Sequence, residues 1–257
     1  MAVLEINGLT KYFGGLSAVS DLDFNIQNGE IFGLIGPNGS GKTTTLNMIT
    51  KVLSPDRGEI LFGGGNIPKL KTYQIAKRGL TRTFQLSTLF MDMTVFQNVL
   101  SGFHILQSGF WTLLVNTLLT GRRVEKDFLE KAMELLEFMG IVELKDELVK
   151  NLPHGHQRCV SLCVALATNP RVILLDEPMS GMNPKETYLM MKRIWSLKNK
   201  GITILLVEHD MKVIMGICER IAVLNFGKKI AEGTPSEIQT DEEVIKAYLG
   251  KAYVTKS

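Results

Sequence analysis

Apolar and polar positions change their rhythm twice along this chain. Near the N-terminus, short apolar clusters at Leu4-Glu5-Ile6, Phe24-Asn25-Ile26, Ile31 to Ile35 and Gly58 to Phe62 are separated by Gly, Asn and Asp turn signals and predict strands. The run Ile31 to Ile35 is apolar throughout and passes directly into a helical pattern at Thr43 to Ile49. From Met93 to about Lys150 the spacing becomes helical. Val95, Phe96, Val99 and Leu100 share one face, as do Phe128, Ala132, Leu135, Leu136 and Met139, with Gly140 as a stop. Beyond residue 157 helices alternate with strands. The pattern predicts a helix from Gln157, strand Val172 to Leu175, helix Pro184 to Lys198, strand Ile202 to Val207, helix Met211 to Cys218 and strand Ile221 to Leu224. A hairpin turn at Asn225-Phe226-Gly227-Lys228 then leads into Lys229-Ile230-Ala231, and Glu242 to Leu249 closes as a helix. Fully apolar strands between helices predict a parallel sheet covered on both faces, with a small antiparallel sheet laid against it.

A chain of 257 residues, 45% hydrophobic and 21% charged, suits one soluble domain with subdomains. No apolar run approaches the roughly 20 residues of a spanning helix; the nearest, Gly109 to Leu119, is interrupted by Asn116. The start Met1 to Ile6 does not read as a signal peptide, so the expected place is the cytoplasm. A net charge of +3 is too mild to mark nucleic acid as a partner. Three cysteines, without disulfide spacing, fit a reducing compartment, and Cys218 reads as buried. His154, His156, Cys159 and Cys163 are potential metal ligands, but the apolar surroundings of both cysteines favour core packing. The segment Ser108 to Thr120, with Phe110, Trp111, Leu113 and Leu114, is a docking surface or core, and core is the favoured reading.

Chemistry concentrates in three places. Gly36-Pro37-Asn38-Gly39-Ser40-Gly41-Lys42-Thr43, followed by Thr44, is a complete phosphate-binding P-loop. Its glycines let backbone N–H groups approach a polyphosphate, Lys42 supplies a compact cation, and the Thr43 hydroxyl is a ligand for Mg²⁺. The strand from Val172 delivers Asp176 and Glu177 to its carboxyl end, where α/β sheets bind ligands. Successive strand residues face opposite ways, so Asp176 is expected to hold Mg²⁺ and Glu177 to face the attacking water. One strand further, His209 follows Ile204 to Glu208 and is placed to meet a γ-phosphate.

These residues resemble the nucleotide-binding subunits of ATP-binding cassette (ABC) transporters over nearly the whole chain. Phe13-Gly14 resembles the adenine-stacking A-loop, Arg82-Thr83-Phe84-Gln85 the Q-loop, Asp176-Glu177 the Walker B pair, Ser180-Gly181-Met182-Asn183 the D-loop and His209 the switch histidine. Arg-Thr-Phe-Gln, Gly-Met-Asn-Pro and the ending from Ala231 to Gly250 are similar to the ATPases of branched-chain amino-acid importers. The resemblance implies a P-loop NTPase fold: a RecA-like parallel core, an N-terminal antiparallel β subdomain and an α-helical subdomain. Residues 1–92 then hold the β subdomain and the P-loop part of the core, 93–156 the helical subdomain, and 157–257 the rest. It also implies ATP and Mg²⁺ as cofactors, and a catalytic set of Glu177, His209 and Gln85. Thr43, Gln85 and Asp176 would hold the metal. Two cassettes, identical or related, would sandwich ATP beneath membrane permeases, with Gln85 beside the groove that receives them, and an external binding protein would act indirectly. The place would be the cytoplasmic face of the membrane.

One segment departs from the family pattern. The signature, commonly Leu-Ser-Gly-Gly-Gln, stands here as Leu152-Pro153-His154-Gly155-His156. Pro153 cannot supply the serine hydroxyl, while Gly155 and the following helix start can still offer amides to phosphate. His154 or His156 is a candidate replacement donor to the partner's ATP; tolerated loop residues are the alternative. A soluble non-transport ABC ATPase and a small-molecule phosphotransferase are the rival functions, and urea, short amides and lipopolysaccharide the rival cargoes.

Overall fold

The computed structural model describes residues 1–67, 70–83, 89–103 and 121–249. The chain opens with strands β1 (Ala2–Phe13), β2 (Leu16–Gln27) and β3 (Ile31–Ile35), followed by helix α1 (Lys42–Ile49). Strands β4 (Arg57–Phe62) and β5 (Gly65–Asn66), helix α2 (Thr72–Lys77) and strand β6 (Leu80–Thr83) come next. Helices α3 (Val95–Phe103) and α4 (Gly121–Phe138) lead through two short 3-10 turns into α5 (His154–Ala167). Then follow β7 (Val172–Asp176), α6 (Pro184–Asn199), β8 (Thr203–Val207), α7 (Met211–Ile217), β9 (Arg220–Asn225), β10 (Lys228–Gly233), α8 (Pro235–Thr240) and α9 (Glu242–Leu249).

The core sheet has the order β10-β9-β3-β8-β7-β6, parallel except for β10, which returns against β9. Strands β3, β7 and β8 are buried along their whole length, because both faces of the sheet are covered. Alternate residues serve the two faces. Ile31, Ile35, Ile173, Leu175 and Ile204 join a cluster with α3, α4, α5, α6 and α7. Phe32, Leu34, Leu174 and Leu205 join a second cluster with α1 and the antiparallel sheet, whose order is β2-β1-β4-β5. Phe24 stacks on Phe32 at 5.3 Å across that interface. Phe226 and Gly227 are both left-handed, as a two-residue hairpin turn between β9 and β10 requires.

The strands differ from the sequence expectation mainly in length. The three-residue clusters Leu4-Glu5-Ile6 and Phe24-Asn25-Ile26 pair with each other at the open end of two 12-residue strands, and register shifts at Ile6/Leu9 and Lys11/Tyr12 break the alternation that would have shown the rest. Ile202 precedes β8, and α2, β6 and α8 are additional elements. Helix α5 begins at His154, not Gln157, so the boundary drawn after residue 156 falls within its first turn. Its cap is Pro153, whose φ of −56° suits the position and whose missing N–H costs no helix bond there. The segment Ser108 to Thr120 lies outside the described residues. Cys159, Cys163 and Cys218 are buried, and Arg193 Nη1 donates to Cys159 Sγ at 3.5 Å. Among the described residues no helix is long and apolar enough to cross a membrane.

The helical part is joined to the core where α3 crosses α5 at Gly102. A Cβ there would lie 2.5 Å from Val164 O and 2.8 Å from Ala167 Cβ. Gly102→Ala is therefore expected to destabilise the chain by about 1–3 kcal/mol through overpacking. Urea unfolding should show a lower midpoint with an unchanged slope; an unchanged midpoint would show that this crossing is not tightly packed.

Candidate active site

Strands β3, β8 and β7 are neighbours in the core sheet, and their carboxyl ends bring the P-loop, His209 and the acid pair to one edge. The P-loop is seated by close backbone contacts. A Cβ on Gly36 would lie 2.1 Å from Leu224 O, and one on Gly41, which has φ 105°, 2.6 Å from Ala18 O. Only glycine fits either place. Gly41 is also the cap of α1 and has no side chain to satisfy the first-turn amides, so this helix start can receive an anion. Lys42 Nζ arches back over the loop, donating to Gly36 O at 2.8 Å and Pro37 O at 3.0 Å. Burial pushes its ammonium below the ordinary value, while Glu177 and Asp176 pull it back up. Lys42 thus sits in the field of the strand-end acids. Thr43 is exposed on the first turn of α1, with Thr44 half-buried and Ser40 buried beside it.

Asp176 is 7% exposed and its Oδ2 receives Nη2 of Arg82 at 2.7 Å. Arg82 Nη1 also donates to Asn47 Oδ1 on α1, at 2.6 Å. Removing one partner of such a buried pair costs about 3–5 kcal/mol, because it strands the other charge. The expectation that strand alternation separates Asp176 from Glu177 needs correcting. Glu177 has already left β7, with φ 49°, and its N–H donates to Val207 O at 2.9 Å. A left-handed turn, not the pleat, aims its half-buried side chain.

His209 follows β8 with its side chain 64% exposed. Beside it Glu208, only 2% exposed, accepts the Met179 N–H at 2.8 Å and lies 3.7 Å from His209 Nδ1. Burial pushes the Glu208 carboxyl up, and the Met179 and His209 amides draw it down. Glu208 therefore ties the loop after β7 to His209. Sequence reasoning gave Glu208 no role and Arg82 only a place in the Q-loop pattern; an acid directly after four apolar strand residues was the available signal for the first.

Phe13 ends β1 at the tip of the hairpin, paired with Leu16 and 49% exposed. Beneath it the Asp56 carboxylate accepts the Tyr12 N–H at 2.7 Å and Lys11 Nζ at 3.0 Å. These bonds, the Tyr12 amide first, hold the Asp56 carboxyl below its ordinary value. On the other side of the P-loop, burial pushes the Tyr248 phenol of α9 up while the Gly36 N–H draws it down. A cleft of about 680 Å³ opens there between the loop and α9, lined by Asn38, Ser40, Phe226 and Lys246.

The signature segment lies apart from the P-loop. Leu152 and Gly155 are buried, His156 is half-buried and His154 exposed. Gln157 Nε2 donates to Val149 O at 3.2 Å and Leu152 O at 2.9 Å, fixing the turn that enters α5. A Cβ on Gly155 would lie 3.4 Å from Glu186 Oε2, so the segment borders the start of α6. Among the described residues, no hydrogen bond or ion pair joins residues 152–156 to the P-loop. Gln85 lies outside the described residues. The Thr43 hydroxyl and the Asp176 carboxylate form a hard oxygen donor set that suits Mg²⁺, and the close-packed glycines suit a polyphosphate.

A family model described as ABC transporter matches residues 19–180. The chain belongs to the ABC transporter family. It is the ATP-hydrolysing subunit type of that family. A second model, described as branched-chain amino acid ATP-binding cassette transporter, matches residues 228–254 of this cassette. The high-affinity branched-chain amino acid transport ATP-binding protein LivG of Escherichia coli strain K12 is 42% identical over 252 residues, covering 97% of this chain and 98% of that protein. A crystal structure of the ADP conformation of an ABC transporter cassette superposes with a TM-score of 0.85 at 31% identity, covering 98% of this cassette and all of the other. A dimeric cassette bound to ADP and Pi superposes with a TM-score of 0.78 at 26% identity, covering 90% and 98% of the two chains.

Proposed function

We propose that this cassette powers the import of branched-chain or related hydrophobic amino acids. The observation that carries the cargo reading is the match over residues 228–254, a stretch that includes β10 and α9. The amides of Gly36 to Thr44 and the Lys42 ammonium hold the triphosphate, and the Phe13 ring stacks on adenine. Thr43, Asp176 and Gln85 would hold Mg²⁺, which would supply charge neutralisation at the phosphates. Glu177 takes the proton of the attacking water and His209 bonds the γ-phosphate, the strand-end acids being within the field of Lys42. The cassette works as a dimer at the cytoplasmic face, with the permeases seated in the groove of about 570 Å³ between α2, β6 and α5, which is lined by Tyr73, Leu80, Leu89 and Val164.

The test is ATP turnover in vesicles holding the cassette with its permeases and binding protein. Leucine, isoleucine or valine should stimulate hydrolysis; stimulation by urea or a short amide alone would overturn the cargo. Glu177→Gln should bind ATP as the native chain does and hydrolyse it about 10²–10⁴-fold more slowly, and normal turnover would remove Glu177 from its role. At the signature, Pro153 stands where the family's serine donor would be, and an imidazole N–H of His154 or His156 beside it serves the partner's ATP. His154→Ala or His156→Ala should then slow hydrolysis by the dimer. Native turnover in both variants would leave the amides of α5 as the only donors.

A further inference from the structure

We propose that Arg82 is a positioning residue for Asp176, and that its guanidinium sets how tightly the site responds to Mg²⁺. The inference deepens the hydrolytic reading above and rests on it. Arg82 lies on β6, in register with Leu174 of β7, and is 8% exposed. Its two terminal nitrogens reach Asp176 Oδ2 at 2.7 Å and Asn47 Oδ1 at 2.6 Å. One planar cation thus joins the helix that carries Lys42 and Thr43, the strand end that carries the metal-binding acid, and the strand that leads toward Gln85. Two separate, directional donors are needed for that span, which an arginine fork provides and a single lysine ammonium does not.

The arrangement fixes one carboxylate oxygen and leaves the other. With Oδ2 claimed by the guanidinium, Oδ1 is the acceptor presented to a metal or its water shell, in an orientation tied to α1 through Asn47. Without Arg82, Asp176 is a buried carboxylate left in the field of Lys42, which already feels its charge. The acid and the lysine then satisfy each other instead of the metal and the phosphates. Partners one layer behind a metal ligand carry large effects of this kind, about 10- to 100-fold in metal affinity.

The test uses the full chain and isothermal titration of ATP, first in EDTA and then with Mg²⁺ as the varied component. Arg82→Met is expected to change ATP binding in EDTA by less than about threefold, while the Mg²⁺ concentration that gives half of the metal-dependent tightening rises about 10- to 100-fold. Arg82→Lys should recover only part of that shift, and Asn47→Ala should produce a smaller one. In an Asp176→Asn background, Arg82→Met should add nothing to the Mg²⁺ response, since Arg82 acts through Asp176. A native Mg²⁺ titration in Arg82→Met overturns the proposal, even if thermal unfolding shows the variant to be less stable. So does an equal Mg²⁺ shift with and without Asp176. Should Arg82→Met fail to fold, Arg82→Lys and Asn47→Ala carry the same readout, and native responses in both overturn it. A native chain that binds no ATP in either condition would instead sink the nucleotide reading itself.

Discussion

A parallel sheet buried on both faces leaves only the ends of its strands free for chemistry, and this cassette is organised around that restriction. Every residue of β3, β7 and β8 is enclosed, one face by the helical layer and the other by α1 and the antiparallel sheet. Polar and catalytic groups cannot be placed along those strands without breaking the packing. They collect where the packing stops, at the carboxyl edge, and three adjacent strands deliver a loop of amides, an acid pair and a histidine to the same rim.

The groups at that rim are aimed by polar contacts one layer back. Asp176 is clamped by Arg82, His209 shares Glu208 with the Met179 amide, and the hairpin tip bearing Phe13 is tied down by Asp56. Two of these carboxylates, Asp176 and Glu208, are almost wholly buried. Such groups add little net stability compared with apolar residues of similar volume, and their effect is positional. The cost of burial falls on the elements that gather the motifs, while the bulk of the cohesion comes from the two apolar clusters.

How much of this was legible in the sequence depended on whether a residue's role is local. Strands β3, β7 and β8 announce themselves as unbroken apolar runs, and the P-loop and acid pair are consecutive residues whose meaning does not depend on distant partners. The long hairpin of β1 and β2 was visible only at its open end, because bulges shift the alternation out of phase toward the turn. Strand β6, written Leu80-Thr81-Arg82-Thr83, carries too few apolar residues to read as a core strand, since it lies at the sheet edge. The importance of its arginine depends on Asn47 and Asp176, far away in the chain. The start of α5 was placed late because a proline cap followed by His-Gly-His offers none of the side chains that usually mark a helix beginning.

The hairpin tip between β9 and β10 bears on the P-loop from outside. Gly227 N–H donates to Ser40 O, Gly227 O accepts the Ser20 N–H, and the space beside Gly41 is closed by Ala18 O. All of these are main-chain contacts. The curvature of the phosphate cradle is consequently imposed largely by the main chain of that rim, so a residue such as Ala18 can change in identity while its carbonyl keeps the cradle's shape. The loop's own glycines at 36 and 41 are held in place by that rim, which leaves them no room for a side chain.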